Sequence, residues 1–121
     1  MNMGKLLTDN ELPAWFSYPD SFKRIFKQGL LDFDPWIIME NENLRTRYEG
    51  LKKRYPTRDL VPFARVDGND DVACWEKNKN GKIVIIHDYA SEGYENVTEF
   101  DNFWDWLRSA LEATIEYDGE W

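Results

Sequence analysis

The chain contains one cysteine and one histidine in 121 residues. Cys74 has no partner for an internal disulfide, and a lone thiol suits a reducing compartment, so the expected location is the cytoplasm. One Cys and one His also cannot supply the four ligands of a Cys₄ or Cys₂His₂ zinc site. No apolar run approaches the roughly 20 residues of a membrane span, and Met1 to Thr8 lacks a hydrophobic stretch of signal-peptide length. Gly-rich phosphate-binding signatures, repeats, low-complexity tracts and Ser/Gly linkers are missing as well, and no cofactor is expected.

Basic residues are scarce in the second half. Residues 1–60 hold 10 basic and 9 acidic side chains, whereas 61–121 hold 5 and 14, so the net charge of −8 comes from the C-terminal half. A field of that sign repels nucleic acid and anionic membranes and attracts basic proteins, although acidity also serves plain solubility. What the chain has in quantity is aromatic: 16% of residues, six of them Trp. Rings of that size supply core area in a small domain and also anchor interfaces. The length fits one domain, 1–121, able to bury a self-sufficient core.

Pro19-Asp20 opens a helical pattern with Phe22, Ile25 and Phe26 on one face, and Gly29 stops it. Trp36 to Met39 is apolar but too short to assign by periodicity. Leu44, Tyr48, Leu51 and Tyr55 follow helical spacing after a cap at Asn41 or Asn43, and Pro56 ends that helix. Arg45, Arg47, Lys52, Lys53 and Arg54 fall on its other faces. Strand chemistry follows in Leu60–Val66, with Pro62 arguing for an edge or a strand start, and then in Asp71–Glu76. Asn80-Gly81 is a hairpin signal joining Val72–Trp75 to Lys82–His87, and the unbroken apolar run Ile83–Ile86 predicts burial on both sheet faces. Thr98 and Asp101 resemble a capping box for a helix from about Glu99 to Ile115. Its expected apolar face carries Phe100, Phe103, Trp104, Leu107, Leu111 and Ile115. The first residues and the tail Tyr117–Trp121 are expected to be loose.

Few constellations carry chemistry. Asp67, Asn69 and Asp71 stand at calcium-loop positions 1, 3 and 5, but Val72 replaces the required Gly and Asn78 the bidentate Glu. An acidic turn stabilised by its own side chains explains them, or a patch for cationic partners at a hairpin tip. A two-residue Asn80-Gly81 turn would set Cys74 opposite His87, a dyad able to make a thiolate nucleophile. Asp88 would point to the other face, and no oxyanion-hole motif accompanies the pair, so core packing of Cys74 and His87 is the preferred reading. Trp75 and Trp104 read as core. Trp106, two positions from Trp104, falls off that face and is a candidate partner contact.

The order of segments resembles the SUKH superfamily, the Smi/Knr-like group. The residues that carry the resemblance are Leu60-Val61-Pro62-Phe63-Ala64-Arg65, Asp70-Asp71-Val72-Ala73-Cys74-Trp75, Ile85-Ile86-His87-Asp88-Tyr89-Ala90 with Gly93 and Glu95, and Phe100-Asp101-Asn102-Phe103-Trp104-Asp105-Trp106-Leu107. It covers about residues 18–111. Gln28-Gly29 stands where the family commonly has Asn-Gly, and the segment before Tyr18 does not match. The resemblance implies a single α+β domain with a mixed, mostly antiparallel sheet flanked by helices, and no enzymatic activity. It further implies an immunity-type role: binding and occluding a cognate toxin, often a nucleic-acid-targeting one, inside the producing cell. A basic toxin fits the independent charge argument. From charge and loop position, the expected partner-binding residues are Asp67, Asp70, Asp71, Glu92, Tyr94 and Glu95, with Trp106 beside them; no metal ligand or catalytic residue is expected. The alternative is a regulatory interaction module that binds an endogenous protein or a small ligand in a sheet-side cleft.

Overall fold

Six strands, each hydrogen-bonded to the next in sequence, form one antiparallel sheet in the order β1 to β6. The computed structural model describes residues 5–118. Within them the elements are α1 (Asp20–Lys27), β1 (Asp32–Phe33), β2 (Trp36–Ile38), α2 (Asn41–Arg54), β3 (Leu60–Val66), β4 (Asp71–Glu76), β5 (Ile83–His87), β6 (Asn96–Phe100) and α3 (Phe103–Asp118). This is an α+β domain, as expected, and every neighbouring strand pair is antiparallel. No helix among the described residues is long and apolar enough to cross a membrane.

The sheet is buried on both faces. Val72, Ala73, Cys74 and Trp75 on β4 and Ile83 to Ile86 on β5 are all buried, as the unbroken apolar runs require. Phe22 of α1 meets Trp75, Phe63 and Phe103 edge-on at centroid distances of 5.2, 5.5 and 5.5 Å, which seats α1 and α3 together on the Trp75 side. Residues alternate across a strand, so Cys74 and Val72 face the other side, which leaves α2, packed along β3, to cover it.

Four expectations change. Pro62 lies in β3, an interior strand, at a register shift between Pro62 and Ala64; a bulge is one of the few interior places that tolerate a missing N–H. The Asn80-Gly81 turn does form: both residues have positive φ and the Lys82 N–H donates to the Lys79 carbonyl at 3.1 Å. The strands stop short of it, however, with Trp75 paired to Ile83, so Cys74 lies opposite Val84 and His87 opposite Asp71. Thr98 is not a helix cap but sits in β6 opposite Ile85; the helix starts later, and Asn102 Oδ1 accepts the Asp105 N–H at 2.9 Å. Residues 5–18 are tied down, with Leu7 buried and its N–H donating to the Tyr18 hydroxyl at 3.3 Å. Of the tail expected to be loose, residues 119–121 lie outside the described residues, as do 1–4 at the other end.

Candidate functional site

The β3–β4 turn and the β5–β6 loop meet at one end of the sheet. The Asp88 N–H donates to the Asp70 carbonyl at 2.9 Å, and Nδ1 of His87 lies 2.7 Å from Asp71 Oδ1. In the turn, Asn69 Oδ1 accepts the Asp71 N–H at 2.7 Å, the side-chain closure characteristic of Asx turns. The Asp67 N–H donates to the Pro35 carbonyl at 2.8 Å, joining the β1–β2 turn to the same end. Asp67 and Glu92 are exposed, Asp70 and Asp71 partly so. Two tyrosines stand out from the loop, Tyr89 at 65% exposure and Tyr94 at 81%. Five of the expected partner-binding residues, Asp67, Asp70, Asp71, Glu92 and Tyr94, thus share one rim.

Glu95 and Trp106 do not belong to it. Glu95 is buried beneath the loop, where its Oε1 accepts the Gly93 N–H at 2.7 Å and its Oε2 accepts from Arg58 at 3.0 Å. Burial pushes its carboxyl up, but its own backbone N–H, Arg58 and the Gly93 N–H together outweigh it and hold the pKa below the ordinary glutamate value. Trp106 has no exposure at all: it meets Trp36 at 5.5 Å and Phe63 at 4.8 Å, both edge-on. Trp104, expected in the core, is the exposed one at 41%. The helix is rotated relative to the expected face because Phe103, Trp106, Leu107 and Ala110 turn inward, leaving Leu111 and Ile115 exposed.

The residue that organises this end is Asp88, which has no solvent exposure. Its Oδ1 accepts Arg54 Nε at 2.6 Å and its own neighbour's N–H, that of Tyr89, at 2.8 Å. Its Oδ2 accepts Arg54 Nη2 at 2.6 Å and Arg47 Nη1 at 2.7 Å. Burial raises the pKa of this carboxyl, yet the bonds from Arg54, Arg47 and Tyr89 together leave it below the ordinary aspartate value. Arg54 also lies 4.0 Å from the centroid of the Tyr89 ring, and the Tyr55 hydroxyl donates to the Ala90 carbonyl at 2.8 Å. Arg58 makes a second staple, bidentate to Glu76 at 2.8 and 2.7 Å and reaching Asn96 at 2.7 Å.

None of these cationic residues stood out as an anchor in the sequence: Arg47 and Arg54 read as decoration on the outer faces of a helix, and Arg58, beyond its end, drew no reading. One signal was available. Arg47 and Arg54 are seven apart and so on one face of α2, with Gly50 between them, an unfavourable residue for a helix interior. A Cβ on Gly50 would run into the Arg54 guanidinium, so the glycine makes room for the arginine that holds Asp88.

The other candidate chemistry is not assembled. Cys74 is fully buried, as expected, burial pushes its thiol strongly up, and its neighbour on β5 is Val84; His87, expected in the core, is exposed instead at the end of β5. Among the described residues no group of three or more His, Cys, Asp or Glu side chains is placed to hold a metal ion. The chain matches no family model, no curated protein and no solved structure.

Proposed function

We propose that the chain is a non-enzymatic, immunity-type binding protein of the cytoplasm that neutralises a cognate basic, nucleic-acid-targeting toxin by covering its active surface. The observation that carries this reading is the rim itself. Two loops tied together by the Asp70–Asp88 and Asp71–His87 contacts present Asp67, Asp70, Glu92 and the exposed Tyr94 at one end of the sheet. Acidic groups and an exposed tyrosine at one end of the sheet match what a phosphate-binding protein surface would bring: cations to pair and apolar area to bury. The net charge of −8 favours long-range attraction to such a partner, and the resemblance to the Smi/Knr-like group points to the same role.

The test is affinity capture from the source cell at low and moderate salt, run in parallel with wild type and an Asp67→Lys/Glu92→Lys variant. Both positions are exposed, so the variant keeps its fold. A basic toxin domain retained by wild type, released as salt rises and association slowed by at least about tenfold in the variant, is the expected result. Equal retention by both proteins would place the partner elsewhere, and capture of acidic or regulatory proteins alone would refute the toxin reading.

A further inference from the structure

The acidity of the whole chain conceals a basic groove. Between α2, the end of β3 and the Tyr89 loop runs an open depression of about 710 Å³ whose walls include Arg45, Arg47, Lys53, Arg54 and Arg65, with Tyr89 at one side. The two carboxylates lining it, Glu42 and Glu49, make only long contacts, with Arg45 and Lys52 at 3.7 Å each, and Arg45 is itself paired with Glu11 at 2.6 Å. Arg65 has only a long contact to exposed Asp67, at 3.7 Å, and Lys53 has no ion-pair partner among the described residues.

What distinguishes this groove from scattered surface charge is that two of its guanidinium groups, those of Arg47 and Arg54, are held in place by Asp88 before any ligand arrives. Asp88 carries one negative charge and faces two arginines, so the cluster keeps a net positive charge. Arg54 is locked by a bidentate bond and by the Tyr89 ring, and Arg47 gives Asp88 a single N–H, leaving its remaining donors uncommitted. A pre-positioned fork with free donors suits a tetrahedral oxyanion, since little side-chain freedom is left to lose on binding. Gly50, at the floor, keeps the groove open where a side chain would press on Arg54.

We propose that this groove binds the phosphate group of a small phosphorylated ligand. Arg47, Lys53 and Arg65 pair with its oxygens, and Tyr89, with 65% of its surface exposed, provides a wall for whatever the phosphate is attached to. This site borders the acidic rim, which it meets at Tyr89 and at the Arg65–Asp67 contact, but it does not depend on the toxin-binding reading.

The test is an NMR titration of the full chain at low salt with inorganic phosphate and, separately, with a nucleoside 5′-monophosphate. Expected are saturable shifts at Gly50, Lys53, Arg65 and the Arg47 side chain, with a midpoint at or below about 1 mM, and none at the exposed Lys23 and Lys27 of α1. A Lys53→Ala/Arg65→Ala variant, which leaves the Asp88 cluster intact, should weaken binding by at least about tenfold. Tighter binding of the nucleotide that is lost in Tyr89→Ala supports a ligand with a ring against Tyr89; equal affinity for both probes supports the phosphate group as the whole determinant. Shifts that stay linear with concentration, that appear equally on α1, or that the double variant leaves unchanged would overturn the proposal.

Discussion

Asp88 shows how much one side chain decides here. Its carboxylate is shielded from water and shared by two arginines from α2, so the loop after β5 cannot move without exposing them. Removing one partner of a buried pair leaves uncompensated charge, which costs more than the pair itself contributes. Asp88→Asn is therefore expected to lose about 3 kcal/mol in urea unfolding at neutral pH, toward the low end for buried pairs because both guanidiniums keep some solvent. A loss under about 0.5 kcal/mol would show that the cluster is not a structural anchor. Nothing in the local sequence marks Asp88 for this role: its neighbours His87 and Tyr89 are exposed, and its partners lie 34 and 41 residues away.

At the scale of the element, α3 carries apolar residues over more than half its circumference. Two faces were therefore consistent with helical spacing, and the sheet chose the one bearing Trp106, whose ring fits between Trp36 and Phe63. Trp106→Ala should cost about 3–5 kcal/mol, against less than about 1 kcal/mol for Trp104→Ala, measured by thermal or urea unfolding. The reverse ranking would refute the assigned face. The start of the helix gives a second test. Asn102→Ala removes the side chain that accepts the Asp105 N–H and should cost about 1 kcal/mol, while Thr98→Ala, on the exposed strand β6, should cost less than about 0.5 kcal/mol. Thr98 and Asp101 mimic a cap because the same short polar residues serve both turns and caps; β5, buried and hydrogen-bonding on both sides, takes residues 96–100 as its outer neighbour instead.

At the scale of the whole molecule, carboxylates hold the layers together. Glu11 ties the N-terminal segment to α2 through Arg45 at 2.6 and 3.1 Å, and these bonds with the Thr8 N–H hold its pKa at about 2. Asp88 and Glu95 are lowered as well. Because all three titrate lower in the folded than in the unfolded chain, acidification protonates the unfolded state first. Their contribution is complete above about pH 4.5 and is lost as the pH falls toward about 2. The melting temperature should accordingly drop over that window, and a Glu11→Gln variant should show a shallower drop. A wild-type profile flat from pH 5 to about 2.5 would contradict the role assigned to these groups.

The sequence by itself determined α1, the end of α2, the two central strands and the acid-rich loops, because each rests on periodicity, turn chemistry or local charge that a neighbouring residue can read, whereas the cap of α2 fell at Glu40, not at the expected Asn41 or Asn43. Which face of α3 turns inward, how far β4 and β5 slide past each other, and which carboxylates are surface and which are anchors were decided only by the tertiary structure. Those outcomes depend on contacts between residues far apart in the chain: Trp36 with Trp106, Asp71 with His87, and Arg47 and Arg54 with Asp88. Spacing along a strand or helix can set up such meetings, but it takes the packed layers to select one.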